Sequence, residues 1–290
     1  MRDQYAGDLS DVLKFAFLRG LARTDRSLGI AWYYVPGNDG RNDGRLLEWH
    51  NEPAWKRLDE QLFDGLKSLP VPSVEALEEA AIWPGRPLFH RVPMPSRAER
   101  AAWAAAKRKV LHGADIVFLD PDNGVGGETK KHATLSEVRE LREATRAIAF
   151  ITFPGRGMKH DLLVRQLHER VKAETTAGSI LTLRINVAVR IAGTPYYVQR
   201  QRWFTMLDAD ATLIARAQAF ATALASVPHV KVRLDYALES RERRRDDDVT
   251  ASAQRVPSSR VKTMIDRHGE REVELTEPGE NGIQWSKHDE

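Results

Sequence analysis

Short apolar runs alternate with longer segments of helical period from Ser10 to Leu234. Ser10 is placed to cap a helix reaching about Ala22, in which Val12, Leu13, Phe15, Ala16, Phe17 and Leu21 make a broad apolar face. Gly29–Val35 reads as a strand that breaks into the turn-rich segment 36–45. Pro53 suits the first turn of a helix to about Leu66, and a shorter helix is expected over Val74–Ile82. Leu88–Val92 is a candidate strand, after which Ser96 opens an Ala-rich helix closed by Gly113. Ile116–Leu119 and Ala147–Phe153 are apolar throughout and bounded by turn formers, the pattern of strands buried on both faces of a parallel sheet. Between them Thr134 and Glu137 form a capping box for a helix to about Thr145. A helix over Lys159–Ala173 follows, then strands over Ile180–Val189 and Tyr196–Leu207 around a Gly193-Thr194-Pro195 turn. A helix over Asp210–Ala225 and a strand over Val230–Leu234 complete the series.

This alternation predicts an α/β fold over residues 1–239: a doubly wound, mostly parallel, Rossmann-like sheet with helices on both faces. Past Glu239 the character changes. Arg241-Glu242-Arg243-Arg244-Arg245-Asp246-Asp247-Asp248 is a charge run with few large apolar residues beyond it. Residues 240–290 therefore read as a charged, flexible tail, with a short ordered piece near Val273–Leu275.

Composition narrows the chemistry. The chain of 290 residues is long enough for a substantial core, and it has no cysteine, which removes disulfides, thiolate nucleophiles and Cys-based zinc sites. No apolar run reaches the length of a membrane span and no signal-peptide run opens the chain, so the expectation is a soluble, cytoplasmic protein. A net charge of +3 with a pI near 9.1 permits an anionic partner without demanding one. The nine histidines offer no metal set, His160 and His168 being eight apart on a helix. Trp32, Tyr33, Tyr34 and Trp103 read as core or sheet-packing aromatics.

The densest chemistry follows Ile116–Leu119, in Asp120-Pro121-Asp122-Asn123-Gly124. In open α/β sheets ligands bind beyond the carboxyl ends of the strands, where this turn is expected to sit. Its plain structural reading is an Asx-type turn. Asp120, Asp122 and Glu128, followed by Lys130, would also suit a divalent cation such as Mg²⁺ in a hydrolase or nuclease, although five residues between Asp122 and Glu128 are too few for the strand-turn-strand of restriction-type nucleases. Arg41, Arg45, Lys130, Lys131 and Arg156 fall on loops at one expected edge of the sheet, where basic side chains would suit a phosphate backbone.

Tyr5-Ala6-Gly7-Asp8-Leu9-Ser10-Asp11-Val12-Leu13-Lys14 resembles the N-terminal His-Ala-Gly-Asn-x-x-Asp-Val-Leu-Lys segment of the bacterial 23S rRNA adenine-N6 methyltransferases of the J type. Phe153-Pro154 stands where that family's fifth strand ends in a Tyr-Pro pair. The likeness in order and kind covers about residues 3–207, with similarity at the level of sequence over about the first ten matched positions. It implies a class I S-adenosylmethionine (SAM) fold. Tyr5, Asp8 and Lys14, together with the first loop at Gly37, Asn38 and Gly40, would hold the cofactor. The turn Asp120-Pro121-Asp122-Asn123 would be the amino-methyltransferase motif, acting on a nucleic-acid base in RNA or DNA.

An exocyclic base amine is a poor nucleophile, so such an enzyme must accept its N–H groups and hold it in line with the methyl donor. Asp120 and the Pro121 carbonyl are the expected acceptors, Pro121 stiffens the turn, and Asn123 can read a base edge with one donor and one acceptor. Two positions depart from the family. Asp-Pro-Asp-Asn replaces Asp-Pro-Pro-Tyr, which removes the aromatic that stacks on an extruded base, and Gly37, Gly40 and Gly44 do not make a Gly-x-Gly-x-Gly loop. Three readings follow: a SAM-dependent methyltransferase, a divalent-metal hydrolase, and a nucleotide- or partner-binding module without activity.

Overall fold

A computed structural model describes residues 1–37, 40, 46–127, 129–155, 159–190 and 196–238. In chain order the strands are β1 (Leu28–Trp32), β2 (Leu88–His90), β3 (Ile116–Asp120), β4 (Gly124–Val125), β5 (His132–Ala133), β6 (Ala147–Thr152), β7 (Ser179–Arg190), β8 (Tyr197–Leu207) and β9 (Val230–Leu238). The helices are α1 (Leu9–Ala22), α2 (Pro53–Leu58), α3 (Glu60–Lys67), α4 (Val74–Glu79), α5 (Arg100–Val110), α6 (Leu135–Leu141), α7 (His160–Thr175) and α8 (Ala211–Ala225). None is long and apolar enough to cross a membrane.

Seven strands form one sheet in the order β2-β1-β3-β6-β8-β7-β9, and β4 pairs with β5 apart from it. The apolar runs take its centre: every residue of β1 and of β3 is buried. The fold is Rossmann-like. β2, β1, β3 and β6 are parallel neighbours, β8 is antiparallel to both β6 and β7, and β9 is antiparallel to β7. Strand β7 therefore runs with the first four, and only β8 and β9 are reversed. The chain leaves β1 for β2 on one side and returns to β3 on the other. That reversal makes a crevice at the carboxyl ends of β1 and β3, where Trp32 and Asp120 are level in register.

Several boundaries differ from expectation for identifiable reasons. Helix α1 is capped by Asp8, not Ser10: the Asp8 carboxylate accepts from the Ser10 and Asp11 amides at 2.7 and 3.1 Å. The helix expected over 53–66 is two, because Asp59 adopts an extended φ of −157° and caps α3 by accepting from Leu62. Asp59 also receives Arg19 of α1 at 2.5 Å. Ser96 does not open α5; its hydroxyl bonds Glu99 at 2.7 Å in a turn ahead of Arg100. Only half the expected capping box forms at α6, since Thr134 accepts from the Glu137 amide while the Glu137 side chain turns inward to Arg100, Lys107 and Tyr33. Strand β9 runs four residues beyond Leu234, to Leu238, along the sheet's outer edge. The 193–195 turn and the 240–290 tail lie outside the described residues.

Gly124 holds the turn that follows β3 against β6. Its φ is +105°, and an added Cβ would lie 2.9 Å from the Thr152 side chain and 3.1 Å from Thr152 Cα. Both the dihedral and the space demand glycine. Gly124→Ala is expected to cost roughly 1–3 kcal/mol in a urea unfolding titration, and Gly85→Ala, strained in φ but open in space, to cost less.

Candidate functional site

The first turns of α1 lie against the carboxyl end of β3. Lys14, which its neighbours Leu13 and Phe15 place on an apolar stretch, is 2 % exposed, and its ammonium lies 2.6 Å from Asp11 Oδ1 and 2.8 Å from Asp120 Oδ2. Asp11 also accepts from the Gly7 amide at 2.7 Å. Burial alone would lower the Lys14 pKa, but the charges of Asp11 and Asp120 outweigh it and hold the ammonium protonated well above its ordinary range. Burial raises Asp11, against the pull of Lys14. Burial and the Asp11 charge raise Asp8 to about 7, while Arg202 and Lys14 pull it down.

This cluster forms one wall of a cavity of about 280 Å³ at the switch point. Tyr5, Asp8 and Lys14 line it from the N-terminal segment, Asp120, Pro121 and Asp122 from the acidic turn, and Lys131 from beyond that turn. The sequence resemblance and the acidic turn, separated by more than a hundred residues, thus meet in one place. Lys14 claims Oδ2 of Asp120, leaving Oδ1 as the oxygen available to a ligand. Asp122 Oδ1 accepts from the Met1 amino group at 2.6 Å, and that group also donates to the Tyr33 carbonyl at 2.7 Å.

Other expected residues fall elsewhere. Asn123 is exposed, its amide donates to the Lys131 carbonyl at 2.8 Å, and it does not line the cavity; neither does exposed Lys130. Gly37 and Gly40 have φ of +87° and +73°, as a tight loop after β1 requires, but also lie off the cavity lining. Asn38, Arg41, Arg45, Glu128 and Arg156 lie outside the described residues.

Sequence reasoning did not single out Asp11, Ser10, Phe153 or Arg202 as site residues. Asp11 and Ser10 stood in the matched segment and Phe153 at the end of an apolar strand. Arg202 reaches the site from β8, donating to Ser10 Oγ at 2.8 Å, with its guanidinium 4.6 Å from the centre of the Phe153 ring. No local signal identifies it, because the contact spans 192 positions.

The cavity's chemistry is that of paired opposite charges. Four carboxylates (Asp8, Asp11, Asp120 and Asp122) and four cationic side chains (Arg2, Lys14, Lys131 and Arg202) line it. The Lys14 ammonium fills the space between Asp11 and Asp120 that a divalent cation would take. No group of three or more His, Asp or Glu residues is placed to hold a metal among the described residues. His168 is bound to Thr182 Oγ1 at 2.8 Å. Trp32, Tyr33 and Trp103 are buried core rings, as anticipated.

No protein-family model matches the chain, and no curated protein does. Among solved structures it is similar to the crystal structure of protein LPL1258 from Legionella pneumophila str. Philadelphia 1, of family model DUF519. The TM-score is 0.50 at 9 % identity, over 81 % of this chain and 99 % of that one. At that identity the likeness concerns the fold alone.

The buried charges set two expectations. Lys14→Met leaves Asp11 and Asp120 without their shared cation and should lower stability at neutral pH by about 3–5 kcal/mol, the usual cost of removing one partner of a buried pair. Asp8, with a folded pKa raised from 3.8 to about 7, keeps its proton in the folded chain over an interval where the unfolded chain has lost it. Its contribution to stability is therefore full below 3.8 and is lost as pH rises through about 7. Asp8→Asn, which keeps an accepting oxygen for the cap, should flatten that decline in a series of thermal melts from pH 4 to pH 8; an unchanged profile would place the titration on another group.

Proposed function

We propose that the chain is a SAM-dependent methyltransferase acting on the exocyclic amine of a nucleic-acid base. The observation that carries this reading is the contact of Lys14 with Asp120, which joins the methyltransferase-like N-terminal segment to the acidic turn at the sheet's switch point. Neither segment predicts the other's position, and a cavity opens where they meet.

The residues present fit SAM. It carries an α-carboxylate, an ammonium and a sulfonium, and the cavity offers carboxylates and cations in equal number. At about 280 Å³ the space is near the lower end of the roughly 300–1,000 Å³ usual for ligand pockets. SAM would supply an electrophilic methyl group at its sulfonium. The protein's part is positioning. Asp120 Oδ1 would accept an amine N–H, while Lys14 on Oδ2 holds the carboxylate in place. Pro121 lines the same cavity, and its carbonyl would serve as the second acceptor. Asn123 cannot replace the missing aromatic, but Phe153, flanked by the Arg202 guanidinium, offers a flat surface in the same cavity for the base to stack upon.

The decisive measurement is calorimetry with SAM, its demethylated thioether product, ATP and Mg²⁺. SAM is expected to bind and to bind more tightly as pH rises through about 7, because ionised Asp8 then adds a negative charge to the lining that would meet a cationic ligand. The neutral thioether should show a weaker trend. A response to Mg²⁺ without SAM would favour the hydrolase, and silence across the panel the binding module. In a methyl-transfer assay Asp120→Asn, which keeps the shape and loses the charge that holds Lys14, should slow turnover by roughly 10²–10³. Asp122→Ala should retain part of the activity.

A further inference from the structure

The turn between β3 and α6 has two sides. Pro121, Asp122 and Lys131 line the acidic cavity on one, while Gly126, Gly127 and Thr134 line a second depression, of about 490 Å³, on the other. The charged lining of this second space is Arg97, Arg100, Arg139 and Arg170 against one carboxylate, Glu174. Arg100 is turned inward to Glu137 at 2.6 Å and to the Thr129 carbonyl at 3.0 Å, so it is held as part of the wall. Arg170 reaches over the turn to the Gly126 carbonyl at 3.2 Å, and its pair with Glu174 is long, at 3.4 Å, with both side chains about half exposed. Arg139, in the last turn of α6, forms no ion pair with a described residue.

We propose that this arginine-lined groove binds the phosphodiester backbone of the nucleic acid whose target base enters the acidic cavity. The inference rests on the methyltransferase reading for the identity of that cavity, but not for the groove's own chemistry. Arginine forks match phosphate oxygens, and such contacts set register without reading sequence. The ligand is a backbone and not a free nucleotide because, among the described residues, no aromatic ring lines the groove to take a base. It is an extended anion and not a single phosphate because the arginines come from four separate places: the segment before α5, α5 itself, α6 and α7. Thr134 and Ser136 add hydroxyl donors between them, 2.9 Å apart.

The test is fluorescence anisotropy of labelled RNA and DNA oligonucleotides over a salt series, with SAM calorimetry on the same samples. The double variant Arg139→Glu/Arg170→Glu should bind oligonucleotides at least roughly tenfold more weakly at about 100 mM salt, with the slope of log K against log salt reduced by about 2. Its SAM affinity should match the parent. Lys231→Glu, on the edge strand β9, should change neither quantity. If the charge reversals impair folding, Arg139→Gln/Arg170→Gln serves instead and should show the same loss of slope. Unchanged affinity and slope in a folded double variant would overturn the groove and leave the methyltransferase reading standing. A parent protein that binds tripolyphosphate but no oligonucleotide would also overturn it, in favour of a free-anion site. A parent that binds oligonucleotide through these arginines but ignores SAM would keep the groove and remove the methyltransferase.

Discussion

An ammonium held between two carboxylates in the protein interior fixes the candidate site. Lys14, Asp11 and Asp120 are each at most 3 % exposed, and none of the three charges is tolerable there without the others. Such a triad contributes little net stability, since taking its members out of water costs about as much as their attraction returns. What it supplies is position. The first turns of α1 must lie at the carboxyl end of β3, because any slippage strands a charge. The Asp8 cap and the Arg202–Ser10 bond follow from that placement, since both act on the same two turns of helix.

A second buried network holds the end of β1 from the other side. Lys107 of α5 donates to the Tyr33 hydroxyl at 2.9 Å and to Glu137 at 3.2 Å, and Arg100 closes the group at 2.6 Å. Burial lowers Lys107 to about 8, so its charge depends on Glu137 remaining ionised. Glu137 is held below its ordinary range: burial would raise it, but Lys107, Arg100 and the Tyr33 hydroxyl outweigh that. Nearby His90 is 2 % exposed, with burial lowering its pKa to about 4, so it adds no competing charge. The crevice between β1 and β3 is thus bounded by ionic groups on both flanks, and its floor is the apolar centre of the sheet.

Much of this was legible in the amino-acid pattern, and the exceptions have a common cause. The runs at Ile116–Leu119 and Ala147–Phe153 announced buried central strands because both faces are covered. The alternation in β7 and β8 announced strands but not their directions, since a reversed strand has the same period as a parallel one. Lys14 read as an ordinary helix lysine until the matched segment gave it a role, because burial of a charge depends on partners such as Asp120 that lie far along the chain. Arg202 carried no signal at all for the same reason. Ser10 was expected to cap where Asp8 does, and Asp59 was not anticipated as a cap, because the side chain that bonds the free amides is chosen by tertiary geometry among several polar candidates.

The two faces of the 120–134 turn solve one electrostatic problem. The four carboxylates of the cavity are matched by four cationic side chains and the Met1 amino group, so the cavity itself offers a polyanion little net attraction. On the reading proposed above, attraction for a phosphate backbone would come from outside the cavity, within reach of it. Screening by salt limits that reach to about 8–10 Å under ordinary conditions. The arginine-lined depression shares the 120–134 segment with the cavity, since Pro121, Asp122 and Lys131 line one and Gly126, Gly127 and Thr134 the other. The sequence departs from the Asp-Pro-Pro-Tyr pattern it resembles in that same turn. Asp122, standing where that pattern has its second proline, adds a carboxylate to the inner face that the Met1 amino group meets at 2.6 Å, while the four arginines line the other face.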